Sequence, residues 1–194
     1  VPLSITSVQS VIDSNNQLNV ISIKNTGAKA VGDFLAIIET LETMRDLSVT
    51  KRFHSSEAID KTFEKAQKKV ISELEHFIQA KQFNTNQLTR LSLFSLLRSV
   101  QNLNLTSGSE ADLESTIFEN VNVIVNSAYA IQSQIANING LLGDVDPLAN
   151  HLVSMLSAEL QSSAEAMGEA RAYGAHFIAK QLLSSYGVKL INDA

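Results

Sequence analysis

The stretch LESTIFENVNVIVNSAYAIQSQIANINGLL, residues 113–142, decides the fold class. Its apolar residues Leu113, Ile117, Val121, Ile124, Ala128, Ile131, Ile135, Ile138 and Leu142 recur in steps of three and four over about eight turns, the spacing of a heptad seam on one long helix. Ser109 stands before it as an N-cap, with Asp112 placed to complete an approximate capping box, and Gly140 and Gly143 mark its end. The uncharged run 120–143 is long enough to span a bilayer. It carries Asn122, Asn126, Gln132, Gln134, Asn137 and Asn139, however, so it reads as a helix packed among other helices.

On either side the same period returns. Asp146–Pro147 combines an N-cap acid with proline at the first helical position, predicting a helix to about residue 185, with Gly187 just beyond. Ser55 or Ser56 opens a helix to about residue 81, with Glu57–Lys61 and Glu64–Lys68 as i, i+4 pairs on a solvated face. Asn84 or Thr85 opens another to about residue 105. Short polar joints at 82–85 and 106–108 make these neighbours antiparallel. Residues 1–53 combine the helical stripe Phe34, Ile37, Ile38, Leu41 and Met44 with an Ile/Val-rich start. There Ser14–Asn15–Asn16 could turn a hairpin, but a lone hairpin is marginal in water. The preferred reading is one long helix, with a break near 25–27 as its variant. The fold expected is all-α, an up-and-down, possibly double, antiparallel four-helix bundle with long helices, and residues 1–194 form a single helical domain.

Composition agrees. The 194 residues are 44% hydrophobic and 18% charged, with only 8 Gly and 2 Pro to make the tight turns of a β-sandwich. Absence of Cys excludes thiol catalysis and thiolate metal sites, and fits an oxidising compartment. Of the 15 basic residues only three fall after residue 100, against ten acids there, so no basic face can track a nucleic acid. No signal peptide precedes Val1, and the expectation is a piece excised from a longer protein.

Catalytic constellations are sparse. Glu73–His76 is the one Glu-x-x-His spacing that a di-iron bundle would need twice, and it reads as a solvated acid beside a surface histidine. Asp144–Val145–Asp146 lacks the further ligands of a calcium loop and reads as helix capping. No nucleophile elbow, phosphate loop, dinucleotide fingerprint or zincin motif occurs, so an enzyme is not expected, and neither is a cofactor or metal.

The arginines carry more information. Periodicity aligns Arg171 with the apolar seam Leu160, Ala164, Met167, Gly174, Ile178 and Leu182, beside the small residues Ala164, Gly168 and Ala175. An arginine facing such a gap wants an acidic partner, for which Glu39 and Glu42 are available, or an anionic ligand. Arg45 flanks the stripe of the first helix, followed by Ser48 and Arg52.

The segments Met44–Arg45–Asp46–Leu47–Ser48, Gly143–Asp144–Val145–Asp146–Pro147 and Ala166–Met167–Gly168–Glu169–Ala170–Arg171–Ala172–Tyr173–Gly174–Ala175, taken in order, resemble the helical extracytoplasmic sensor regions of bacterial chemoreceptors, sensor histidine kinases and cyclic-di-nucleotide signalling proteins, including relatives of the nitrate- and nitrite-sensing domain. That group carries an Arg-Gly-Leu-Ser-like motif on its first long helix, an Asp-Pro, and then Leu-Gly-x-x-Arg-x-x-Gly; the resemblance covers roughly residues 25–185. Asp46 stands where the group has Gly, and residues 148–151 replace an aromatic-rich stretch. The resemblance implies a periplasmic sensor domain, attached to an inner membrane through flanking segments and homodimeric in the intact receptor. Its ligand is a small molecule or anion held by Arg45, Ser48 and Arg171, with Arg52 added from spacing. The competing expectation is a structural or adaptor bundle that docks another protein.

Overall fold

The computed structural model describes residues 2–53, 57–80, 87–103 and 110–142, together with His151, Met155, Ser162, Ser163, Ala166, Met167, Gly168, Ala170 and Gly174; side chains are described over 14–50, 57–80, 87–103 and 117–142 and at those nine positions. Four helices are bounded: α1 (Pro2–Phe53), α2 (Glu57–Gln79), α3 (Gln87–Gln101) and α4 (Glu110–Ile138). The nine later residues are helical as well, and no strand occurs among the described residues.

α1 runs unbroken through Gly27, so the variant with a break at 25–27 is not adopted, and neither is the hairpin at 14–16. At 1.5 Å per residue its 52 residues reach about 78 Å. The stripe Phe34, Ile37, Ile38, Leu41 and Met44 is wholly buried. On one side α1 meets α2, where Phe34 and Phe77 place their ring centroids 5.1 Å apart and Lys69 Nζ donates to Thr40 Oγ1 at 3.2 Å. On the other side it meets α4, where Glu42 meets Tyr129 and the Val31 carbonyl meets Gln132. In both pairs rising numbers on α1 oppose falling numbers on the neighbour, so the helices are antiparallel. α3 packs on both α2 and α4.

α4 buries more than its heptad seam. Ile117, Val121, Ile124, Ala128, Ile131 and Ile135 are buried as expected, while Ile138 is 39% exposed at the helix end. A second buried stripe, Phe118, Val125, Tyr129, Gln132 and Ala136, runs alongside, because α4 is covered by α1 as well as by α3. Many of its residues are poor helix formers, each costing at most about 0.7 kcal/mol. Burial of each large apolar side chain contributes about 1.5–3 kcal/mol, so packing decides the conformation. α4 ends in a Schellman motif: Gly140 takes φ 66°, its N–H donates to Asn137 O at 3.0 Å, and Leu141 N–H donates to Ala136 O at 3.0 Å.

That ending sets where the packed region stops. Gly27 of α1 lies against Asn139, whose Cγ is 2.9 Å from the position a Cβ on Gly27 would take. From residue 14 to 26 nearly every side chain is exposed, so this part of α1 projects beyond α2 and α4. No described helix is long and apolar enough to cross a membrane.

Candidate functional site

Arg45 sits at the third of four positions, Leu41, Met44, Arg45 and Ser48, that α1 turns inward, and it is fully buried. Helical geometry fixes this: Arg45 follows Leu41 by four residues and Ile38 by seven, so its Cβ leaves the helix on the α4-facing edge of the apolar stripe. Its Nη1 donates to Asn122 Oδ1 at 3.3 Å. Nη2 lies 3.6 Å from Glu42 Oε1, one turn earlier on α1. The same carboxylate oxygen accepts the Tyr129 hydroxyl at 2.7 Å. Nε and Nη2 have no hydrogen-bond partner.

Gly168 closes the site from the C-terminal part of the chain. A Cβ there would collide with Arg45 Nη2 and stand 3.2 Å from its Cζ, so the guanidinium occupies space that only a glycine leaves open. The gap that the sequence places beside Gly168 is therefore filled by Arg45 of α1.

The other three predicted site residues fall differently. Ser48 is buried on the same face, but its hydroxyl donates to the Arg45 carbonyl at 2.6 Å, inside α1. Arg52 belongs to α1, and its side chain lies outside the described residues. Arg171 also lies outside them. Glu42, one of the two acids offered as partners for Arg171, pairs with Arg45 and Tyr129.

Asn122 and Tyr129 are site residues that sequence reasoning did not single out. Phe118, Asn122, Val125, Tyr129, Gln132 and Ala136 repeat in steps of four and three, a second stripe beside the first, and its polar members are the ones that reach α1. A polar residue in register with buried neighbours was the available signal.

Chemically, the site presents a permanent cation away from water, with one carboxylate 28% exposed beside it and N–H donors left over. Burying a guanidinium is costly unless its charge and donors are matched, and Arg matches planar oxyanions in two-point fashion. His76 is exposed as the sequence suggests, whereas Glu73 is half-buried rather than solvated: it faces Lys69 at 3.7 Å, and its Oε2 is buried without a hydrogen-bond partner. No group of three metal-ligating side chains occurs among the described residues. Comparison of the chain with protein-family models, with curated proteins and with solved structures returns no match.

Proposed function

We propose that the chain is the extracytoplasmic ligand-sensing domain of a bacterial transmembrane receptor. In this reading its helices form an up-and-down antiparallel four-helix bundle, and a small anion engages Arg45 where α1, α4 and the segment around Gly168 meet. The observation that carries this is the fully buried Arg45 guanidinium, whose Nε and Nη2 make no hydrogen bond. An oxyanion accepting from that edge would satisfy both donors and offset a charge that Glu42, partly in water, only half compensates.

Signalling follows from where the arginine stands. A ligand shifts a conformational equilibrium only by its differential affinity for the two states. One that draws Arg45 away from Asn122 or Gly168 changes how α1 sits against its neighbours, and α1 is the element long enough to carry that change out of the packed region. The order of motifs resembling the nitrate- and nitrite-sensing group supports the same reading.

Thermal unfolding with nitrate, nitrite, sulfate and short carboxylates at matched ionic strength tests it. A ligand at a hundredfold excess over Kd adds about 2.7 kcal/mol, or about 5–10 °C for a chain of this size. Arg45→Met keeps length and apolar bulk while removing charge and donors. One anion should raise the Tm of the parent protein and leave that of Arg45→Met unchanged. The Asn122 and Glu42 contacts favour a second reading, in which Arg45 is structural and the chain is an adaptor bundle; that reading is left if no anion acts and Arg45→Met is less stable than the parent.

A further inference from the structure

The end of α4 carries a reactive pair that the proposed anion site does not use. Asn139–Gly140 is the one Asn-Gly sequence in the chain, and glycine, with no side chain to shield its amide nitrogen, is the neighbour that best lets an asparagine react with its own backbone. The structure commits both reacting groups to other bonds. The half-buried Asn139 carboxamide donates through Nδ2 to Ile135 O at 2.7 Å, and the Gly140 N–H donates to Asn137 O at 3.0 Å. Asn139 Cγ also stands 2.9 Å from the place a Cβ on Gly27 would take, so the α1 backbone packs over the carbon that would be attacked.

We infer that Asn139 is a self-modification site, a deamidation switch held shut by the cap of α4 and by α1 at Gly27. Its co-reactant is water. The Gly140 nitrogen attacks Asn139 Cγ; the new N–Cγ bond forms, the Cγ–Nδ2 bond breaks, and the amide proton joins Nδ2, which departs as ammonia. Water then opens the cyclic imide. Addition at Cγ gives aspartate, and addition at the main-chain carbonyl carbon of residue 139 gives isoaspartate, in which the chain runs through Cβ and Cγ. No oxidation or reduction is involved. The attack requires the Gly140 N–H to leave Asn137 O and the carboxamide to leave Ile135 O. The last turn of α4 must therefore open first, and the reaction rate reads the population of that local opening.

The product cannot restore the original end. A carboxylate has no N–H for Ile135 O, and its charge falls at the C-terminal end of α4, where the helix dipole disfavours an anion. Isoaspartate in addition inserts a carbon into the main chain inside the Schellman motif, whose two hydrogen bonds depend on the normal spacing. Gly27 is the first buried residue of α1 among those with described side chains. Losing its packing against Asn139 frees α1 as far as the Val31 carbonyl, to which Gln132 donates at 3.4 Å, so the exposed part of α1 grows by about one turn. The inference stands apart from the anion reading, because Gly27 lies about 27 Å from Arg45 along α1.

Incubating the whole chain at mildly alkaline pH and following it by peptide mass mapping tests this. Residue 139 should gain the mass difference between an amide and an acid, with ammonia released in equal amount. The folded chain should react about 10-fold or more slowly than the chain in urea at the same pH, because opening of the helix end sets the rate. Gly27→Ala, by displacing Asn139, should accelerate the folded reaction about 5-fold or more at unchanged circular dichroism. Gln67→Ala, which loosens the end of α3 instead, should leave the rate unchanged. Asn139→Asp should speed amide hydrogen exchange at residues 27–31 of α1. Absence of the mass gain at 139 in urea overturns the site. Equal rates in the folded chain and in urea, a Gly27→Ala rate equal to the parent's, or equal acceleration by Gly27→Ala and Gln67→Ala overturns the local gate, and unchanged exchange in Asn139→Asp overturns the release of α1.

Discussion

The guanidinium of Arg45 occupies the space that a side chain at Gly168 would need, and the two residues are therefore one structural unit although 123 positions separate them in the sequence. In a helix interior Ala is ordinarily better than Gly by about 1 kcal/mol. At Gly168 the added methyl must push a buried guanidinium off Asn122, an overpacking cost of about 1–3 kcal/mol, so Gly168→Ala should destabilise by about 1 kcal/mol net. In an Arg45→Ala background the obstacle is gone and the same change should stabilise. Urea unfolding of the four proteins measures the coupling, expected at about 1–2 kcal/mol, and simple additivity would show that the residues are independent.

Glu42 is the only carboxylate paired with Arg45 among the described residues, and Tyr129 holds it in place. Removing one partner of a buried pair leaves a charge uncompensated, which costs about 3–5 kcal/mol when burial is complete. Glu42 keeps 28% of its side-chain surface in water, so Glu42→Gln should cost less, about 2 kcal/mol. Tyr129→Phe removes one hydrogen bond to a charged group and should cost about 1–1.5 kcal/mol. Both act through the same Oε1, so the double variant should lose less than the sum of the two. Full additivity in chemical denaturation would place Tyr129 outside the arginine's support.

Periodicity made much of this legible. The α1 stripe from Phe34 to Met44 and the α4 seam from Ile117 to Ile135 are buried as their spacing requires, because a 3.6-residue period is a local property. Arg45 could be read as flanking the stripe for the same reason. Its partners could not, since Asn122 and Tyr129 lie 77 and 87 residues from the α1 residues they bond and such pairing depends on how helices are juxtaposed. At Gly27, where low helix propensity allows a break, the structure uses the missing side chain to bring α1 close to Asn139 within the continuous helix that the preferred reading expects.

That close approach makes the two glycines of α1 opposites. A methyl on Gly27 would collide with Asn139, whose Nδ2 donates to Ile135 O at 2.7 Å and so cannot turn aside freely. Gly27→Ala should destabilise by about 1–3 kcal/mol despite the better helix propensity. Gly32 has open space around it, so Gly32→Ala should stabilise by about 0.5–1 kcal/mol. Equal effects at the two positions would mean that α1 does not approach α4 at Gly27 as described.

Gln67 performs a task on α2 that its neighbours cannot. Its Nε2 donates to Val100 O at 2.7 Å and to Leu103 O at 3.0 Å, reaching the end of α3, where the last carbonyls of any helix lack partners within the helix. Leu103 N–H donates to the same Val100 O at 3.3 Å, so the amide ties together the final turn and the residue that leaves it. Gln67→Ala removes both donors from a partly buried site where water enters poorly, at a cost of about 1–2 kcal/mol. Gln67→Glu should cost at least as much, because it sets a carboxylate against two carbonyl oxygens. Hydrogen exchange should show the loss first at the C-terminal turn of α3, and protection lost evenly along the helix would mean that Gln67 contributes packing rather than a cap.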